Sequence, residues 1–248
     1  MRRQKLAPAA RRRGNRIKLA RIATVLSALV PLAAELRAQA RNVLRAGDLR
    51  DLGYVDARNI GGNRVGKISS ADGLGSRRCG MSPEEFANFY PPLLNWIRTT
   101  LTANGHVARI VASRGFSRLP LYFTEETLAS TKVVLIDPLP IPPLTSMGLT
   151  RFADFERRNF DGITYMDTFF LKPIQSNNEN IYFHELVHAI QWRLLGPDRF
   201  LFAYANGLEC FGYRESPLEA MAYDAETAFA SSAATFNVEK LVAEKLGL

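Results

Sequence analysis

Long hydrophobic runs, cysteine and histidine are all scarce in this sequence. The best candidate for a membrane span, Ile22–Ala34, has 13 residues, fewer than the roughly 18 that a spanning helix needs. The two cysteines, Cys79 and Cys210, are too few for a disulfide framework or a four-cysteine zinc site, although a single bridge between them is possible. With 47% hydrophobic and 23% charged residues among 248, the composition indicates a globular chain of one domain or two small ones.

The positive charge belongs to one end of the chain. The net charge is +8, yet residues 1–50 carry 13 of the 32 basic residues against two acids, Glu35 and Asp48. The remaining 198 residues carry 19 basic and 22 acidic groups, so the rest of the chain is slightly acidic. A nucleic-acid-binding domain carries its positive charge on the fold itself, and we therefore expect no specific nucleic-acid partner.

The N-terminal residues permit two interpretations. Residues 1–21 contain nine basic residues and no acid, which predicts a disordered basic arm. The apolar segment Ile22–Ala34 and the small residues 38–40 are typical of a cleaved export signal, but apolar residues recur at helical spacing as far as Leu44, beyond that cut. We expect an amphipathic helix in a cytoplasmic protein, with export through a cleaved signal that ends near Ala40 as the alternative.

Apolar periodicity and turn residues predict an α+β chain. In chain order we predict loops over 46–80, two helices within Met81–Asn104 that Pro91-Pro92 separates, strands at His106–Ala112, Leu121–Phe123 and Lys132–Ile136, an edge strand at Gly162–Lys172, a helix over Ile181–Leu195 that Gly196-Pro197 ends, and a helix from Pro217 to about Ala230. These elements divide the chain into the basic arm (1–21), a mainly helical region with irregular loops (22–105) and a domain over 106–248 that contains the motif described next.

Residues 184–188 read His-Glu-Leu-Val-His. Positions i and i+4 lie on one face of a helix, so His184 and His188 can direct both imidazoles at one metal ion. Glu185 is rotated by about 100° from His184 and can reach a metal-bound water without being a ligand. The surrounding helix is strongly apolar, and unpaired polar groups in such surroundings cost free energy. A shared divalent metal, most simply zinc, supplies the missing partner.

Zinc needs a third protein ligand, which spacing alone leaves open. No histidine follows His188, and His106 lies far upstream in a predicted strand, so we expect a carboxylate from a second helix. The candidates are Glu209, Glu215, Glu219, Asp224 and Glu226. Glu219 is three residues after Ser216, where the sequence also predicts a capping box that would occupy the same carboxylate. Glu226, on the same helical face, is the fallback.

Residues 184–191, His-Glu-Leu-Val-His-Ala-Ile-Gln, and residues 216–223, Ser-Pro-Leu-Glu-Ala-Met-Ala-Tyr, resemble the gluzincin group of zinc metallopeptidases. They are most similar to small bacterial domains with His-Glu-x-x-His-x-x-Gln and a later Pro-x-Glu-x-x-Ala-Tyr. The resemblance covers residues 160–230 and implies a zincin-like fold, in which a small sheet packs on the active-site helix beside a helical C-terminal half. It also implies that Glu219 is the third zinc ligand. Better-known gluzincins have an aspartate four residues after that glutamate, where this chain has Tyr223.

A catalytic site of this type implies hydrolysis. Zinc lowers the pKa of a bound water, Glu185 takes the proton, and hydroxide attacks a peptide carbonyl. The oxyanion then needs a hydrogen-bond donor, for which we choose Tyr223, one turn beyond Glu219, over Tyr213 and Arg214. An ordinary core tyrosine explains Tyr223 equally well.

Further residues are expected to support the site. Gln191, on the next turn after His188, is expected to orient a ligand, and the strand Gly162–Lys172 is expected to bind an extended peptide at its edge, as the resemblance implies. Tyr204 lies in apolar surroundings and is assigned to the core.

Three functions therefore compete. The first is a zinc-dependent metallohydrolase, in particular a peptidase with a peptide or protein substrate. The second is a zincin-fold binding or structural module that keeps the metal and cleaves nothing. The third is attachment to a nucleic acid or a membrane surface through residues 1–21. No sequence feature indicates an oligomeric state.

Overall fold

A computed structural model describes residues 79–231 and 234–248. The predictions for the basic arm, for the amphipathic helix or export signal and for most of the glycine-rich loops lie outside these residues. Within them the chain is α+β, as predicted, with a small four-stranded sheet and six α-helices.

The helices alternate with short strands and turns along the chain. The helices are α1 (Pro83–Asn104), α2 (Glu125–Ser130), α3 (Ala153–Glu156), α4 (Glu179–Phe211), α5 (Pro217–Ala230) and α6 (Val238–Leu246), and the strands are β1 (Arg109–Ile110), β2 (Lys132–Leu135), β3 (Gly162–Tyr165) and β4 (Thr168–Leu171). The sheet order is β1-β2-β4-β3; β2 and β4 run parallel, and the other two pairs are antiparallel.

Helix α1 begins where the sequence predicts. The Ser82 hydroxyl accepts a hydrogen bond from the backbone N–H of Glu85, and Pro83 occupies the first turn. The predicted break at Pro91-Pro92 is wrong, because one helix continues through both prolines. Two backbone hydrogen bonds are lost there, but burial of an apolar face in the core compensates for that loss. The buried residues of this face are Phe86, Phe89, Tyr90, Leu93, Leu94 and Ile97.

One predicted strand is wrong and another is shorter than predicted. The strand at Lys132–Ile136 is present as β2, but only two residues of His106–Ala112 form a strand, and a 3-10 turn follows that ends at the left-handed Gly115 (φ 71°). Leu121–Phe123 contains the end of another 3-10 turn. Pro120 lies in that turn and has no N–H to donate to a sheet ladder.

The run Gly162–Lys172 forms a hairpin rather than one edge strand. The chain reverses at Met166, which takes a left-handed conformation (φ 57°), and Thr164 of β3 pairs with Phe169 of β4. No glycine or asparagine marks this turn, so its sequence does not predict the reversal. Strand β4 lies inside the sheet with all four residues buried, so β3 alone carries the predicted edge.

Helix α4 consists of two segments. Gly196 is non-helical (φ 74°, ψ 164°), as Gly196-Pro197 predicts, and separates a first segment (179–195) from a second segment (197–211). The first segment packs against the hairpin, where the Trp192 indole N–H donates to the Thr164 carbonyl at 3.2 Å. This contact places the predicted metal motif beside the sheet edge.

A disulfide joins Cys79 to Cys210, so the single bridge that the cysteine count permits is present. It attaches the residues before α1 to the end of the second α4 segment. The backbone N–H of Met81 donates to Asn206 Oδ1 of that segment at 2.7 Å. The start of α1 is therefore held against α4 by one covalent bond and one hydrogen bond.

Candidate metal centre

The histidine pair and the adjacent glutamate lie on the buried side of the first α4 segment. His184, Glu185 and His188 are 6%, 4% and 5% exposed. The segment is continuous because no glycine or proline interrupts it before Gly196. It therefore presents both imidazoles on one face, as the i, i+4 spacing predicts.

Helix α5 contributes Glu219. Ser216 is the N-cap residue and Pro217 follows it, but within the described part of the chain the Ser216 hydroxyl makes no capping hydrogen bond. The predicted capping box is therefore wrong. The Glu219 carboxylate turns inward instead and is 2% exposed, which leaves it available to the histidines.

Three side chains, those of His184, His188 and Glu219, converge on one point. The two Nε2 atoms are 3.1 Å apart, His184 Nε2 lies 3.5 Å from Glu219 Oε2, and His188 Nε2 lies 3.5 Å from Glu219 Oε1. In a tetrahedral zinc site with bonds of about 2.0–2.1 Å, ligand atoms lie roughly 3.3–3.4 Å apart. The spacing of this buried group is that of ligands around a single ion.

The outer nitrogens of both imidazoles are already bonded. His184 Nδ1 donates to Glu226 Oε2 at 3.1 Å. His188 Nδ1 donates to Gln191 Oε1 at 2.8 Å, because the Gln191 amide nitrogen is itself a donor to the Leu218 carbonyl. When the one proton of a neutral ring is on Nδ1, its Nε2 presents a lone pair toward Glu219, and this is the form of each histidine that binds a metal. Gln191 thus has the orienting contact that the sequence predicts.

The two oxygens of Glu219 differ. Oε1 accepts a hydrogen bond of 2.6 Å from the Tyr204 hydroxyl, whereas Oε2 is buried with no hydrogen-bond partner among residues 79–231 and 234–248. A buried carboxylate oxygen without a hydrogen-bond partner costs on the order of 1–3 kcal/mol or more. Oε2 and the two Nε2 atoms therefore form a set of electron-pair donors that a cation satisfies.

The other candidate third ligands lie elsewhere. Glu215 and Asp224 are exposed, and Glu209 pairs with Arg151. Glu226 contacts the outer nitrogen of His184 and not Nε2, so its place is behind the histidine. His106 is exposed at the turn after α1.

Burial and mutual contact change the charges of the centre. Burial raises the pKa of the Glu185 carboxyl above its ordinary range, although both histidines oppose the shift. Burial acts on Glu219 in the same direction, but the imidazoles outweigh it and hold its pKa well below the ordinary range. Glu219 is therefore ionised at neutral pH.

Glu185 faces strand β3. Its Oε2 accepts a 2.6 Å hydrogen bond from the Thr164 hydroxyl. A Cβ added to Gly162 would overlap Glu185 Oε1, so only glycine leaves room for the carboxylate at this point of the strand. Glu185, the candidate general base, is thus buried between the helix and the sheet edge.

The tyrosines predicted as oxyanion donors occupy different places. Tyr223 packs on His184 with ring centroids 4.5 Å apart, and the Arg214 guanidinium lies 4.4 Å from the Tyr223 ring centroid. Tyr213 lines a cavity together with Glu185, His188 and Glu219. Burial and the charge of Glu219 raise the pKa of Tyr213 far above its ordinary value, so its hydroxyl keeps its proton and can donate.

The affinity of this centre for a metal ion should rise with pH. Burial alone would lower the pKa of His184, but the neighbouring carboxylates of Glu219 and Glu226 raise it to about 10. Near neutral pH the metal-free protein therefore binds a proton at His184 that must leave before Nε2 can bind a metal. We expect the apparent Kd to fall about tenfold per pH unit between about pH 7 and 9, measured by competition with a chelator of known pH dependence.

The variant Glu226→Gln is the control for this pH dependence. It removes one of the two carboxylates that raise the His184 pKa, so its Kd should level off at a lower pH than that of the wild type. A wild-type Kd that does not change with pH would contradict the assignment of the proton to His184.

Comparison of the chain with protein-family models, with curated proteins and with solved structures finds no match. Among the helices of the described residues, none is both long and apolar enough to cross a bilayer. The centre is therefore interpreted from its own chemistry.

Sequence reasoning missed three contacts of the centre. Tyr204, assigned to the core, donates to Glu219; Thr164 donates to Glu185; and Glu226, a fallback ligand, accepts from His184. The seven-residue spacing from Glu219 to Glu226 places them on one helical face and could have indicated the last of these. The other two contacts arise from packing between separate elements.

Proposed function

We propose that this protein is a zinc-dependent metallohydrolase, in particular a peptidase with the zincin-like fold that its resemblance to gluzincins implies. One observation carries the proposal. The Nε2 atoms of His184 and His188 lie 3.1 Å apart in a buried site and each lies 3.5 Å from one oxygen of Glu219, while the Nδ1 atoms of both histidines are hydrogen-bonded. Two imidazoles and one carboxylate are a donor set that suits zinc and leaves a position for a water.

The residues around this donor set support hydrolysis. A zinc ion held by His184, His188 and Glu219 would polarise a carbonyl and lower the pKa of a water molecule. Glu185 would accept the proton of the attacking water, and the raised pKa of its carboxyl suits a general base. Tyr223 remains the predicted donor to the carbonyl oxygen, and Tyr213, which lines the cavity beside Glu185, is the alternative. Loss of activity in Tyr213→Phe, with activity kept in Tyr223→Phe, would assign the role to Tyr213.

Replacing Glu185 by glutamine tests the proposal. We expect Glu185→Gln to retain one zinc per chain and to lower the rate of peptide cleavage by about 100- to 10,000-fold, the range for loss of a general base. Cleavage of a peptide library is followed by mass spectrometry, and zinc is measured on the same samples by elemental analysis.

The matched control is Glu215→Gln, the same change at an exposed carboxylate near α5, which should leave both zinc content and rate unchanged. Equal rates for Glu185→Gln and wild type at equal zinc content would contradict a catalytic role for Glu185.

One observation favours the alternative of a non-catalytic module with the same metal. The Glu185 carboxylate is hydrogen-bonded by Thr164 and packed against Gly162, which is also how a purely structural carboxylate would join a helix to a strand. This alternative predicts zinc-loaded wild-type protein that cleaves no peptide, and a Glu185→Gln variant that keeps zinc but unfolds at a lower temperature.

The disulfide bears on the compartment. Disulfides persist in oxidising compartments and are rare in the cytosol, and Cys79 is bonded to Cys210. We propose that the protein acts after export, which is the alternative to the cytoplasmic location.

A further inference from the structure

An apolar cavity of about 100 Å³ opens beside the metal centre. Its walls come from α1, from the segment between β2 and β3 and from the second α4 segment. Representative wall residues are Phe86, Leu93, Phe160, Leu201, Ala205 and Leu208. Glu185, His188 and Glu219 line the same space, so a group that fills the cavity is directly adjacent to the centre.

The cavity is unusual for a core of this composition. Protein interiors are close-packed, and voids larger than a water molecule are few. Large aromatic side chains surround this one: Phe86, Phe89, Phe152, Phe155 and Phe160 all line it, and they do not fill it. Apolar pockets with a few convergent polar groups are the usual form of a ligand site.

The volume limits the occupant. A cavity of about 150 Å³ holds one benzene molecule, so a space of about 100 Å³ accepts one aliphatic side chain. A tryptophan side chain or a long acyl chain would need the walls to move.

The charges limit the occupant further. Of the described residues that line the cavity, the acids are Glu185 and Glu219, and both belong to the centre. An anionic substrate side chain would therefore be buried without a partner, and a cationic one would have to take a carboxylate away from the centre, each at a high cost in free energy.

We propose that this cavity binds a single aliphatic side chain of about leucine size on a peptide substrate, next to the bond that meets the metal centre. The inference rests on the proposed function, because it places the occupant beside a working zinc site. It makes the cavity the part of the protein that determines which peptide bond is cleaved.

Two hydroxamates test this specificity. They share one zinc-chelating group and differ only in containing a leucyl or a glycyl residue. Their affinities for zinc-loaded protein are measured by isothermal titration calorimetry. We expect the leucyl compound to bind wild type at least about tenfold more tightly, since even one methylene in an apolar pocket gives about tenfold discrimination or more.

Two leucine substitutions on one helix separate the cavity from the rest of the fold. Ala205→Leu fills the cavity and should abolish the leucyl preference while the unfolding temperature does not fall. Ala203→Leu, two residues away on the same segment and half-buried outside the cavity lining, should retain the preference.

A third variant changes the cavity in the opposite direction. Leu208→Ala enlarges it and should increase the affinity for a phenylalanyl hydroxamate relative to the leucyl one. Equal affinities of the leucyl and glycyl compounds for zinc-loaded wild type would overturn this inference and leave the zinc centre intact. A wild type that binds neither zinc nor any hydroxamate would overturn the proposed function as well.

Discussion

Alanine in place of His188 or Glu219 will leave the purified protein without zinc, whereas wild type will contain one zinc per chain. Each substitution removes one of three side chains whose donor atoms lie 3.1–3.5 Å from those of the other two. Loss of a residue that only orients a ligand typically costs 10- to 100-fold in metal affinity, and we expect loss of a ligand to cost more. The measurement is elemental analysis of protein purified without added metal.

Two variants at neighbouring positions distinguish ligands from supporting residues. Gln191→Ala and Glu226→Gln remove the hydrogen bonds to the outer histidine nitrogens and should retain zinc with affinity lowered by about 10- to 100-fold. Zinc retained in Glu219→Ala would contradict the three-residue centre. Wild type that contains no metal even after reconstitution would contradict a metal site altogether.

Zinc should also stabilise the folded protein. A ligand that binds only the native state adds about 4.1 kcal/mol at a free concentration 1,000 times its Kd. This gain should appear as a higher unfolding temperature on zinc addition to metal-stripped wild type and should be absent in His188→Ala. The comparison separates loss of metal from general damage to the fold.

Local signals predict those parts of the fold that local interactions determine. Ser82 with Pro83 marks the start of α1, and Gly196-Pro197 marks the interruption of α4. The predictions that are wrong fail because contacts between distant parts of the chain decide the structure there. Pro91 and Pro92 remain inside a helix because its apolar face is buried in the core, and the hairpin turn holds Met166 in a left-handed conformation with neither glycine nor asparagine in the turn.

The candidate site divides in the same way. His184, Glu185 and His188 lie within two turns of one helix, so their geometry follows from helical periodicity. The inward turn of Glu219 could not be decided from sequence, because a capping box uses the same residues. Its contact with Tyr204 depends on how the second α4 segment packs against α5.

The cavity is the feature that the sequence predicts least. Its walls combine Phe86 of α1, Phe160 before β3 and Leu208 of α4, which are distant in the chain and meet only in the folded protein. A pattern of apolar residues predicts that these side chains are buried but not that they leave a space. Specificity of this kind therefore follows from packing and not from a motif.

Removing the disulfide will strongly destabilise the protein. The bond joins residues 131 positions apart, and in the chain-entropy model a loop of that length corresponds to about 5 kcal/mol of stability. We expect the double variant Cys79→Ser/Cys210→Ser to unfold at a lower urea concentration, with a free energy of unfolding lower by up to about 5 kcal/mol. Reduced wild type should unfold in the same way as the variant.

The bond also attaches two walls of the cavity, α1 and the second α4 segment, to each other. Phe86 of α1 packs on Phe202 of α4 with ring centroids 5.2 Å apart, and Met81 donates to Asn206 beside the bridge. The control Asn206→Ala keeps the bridge, removes the hydrogen bonds of this side chain with Met81 and with the Phe202 carbonyl, and should cost about 2 kcal/mol. A double serine variant whose free energy of unfolding equals that of wild type, or is at least that of Asn206→Ala, would show that packing alone holds α1 in place. If the larger loss is found, the leucyl preference of the cavity should weaken in the double variant, since its walls are then joined by packing alone.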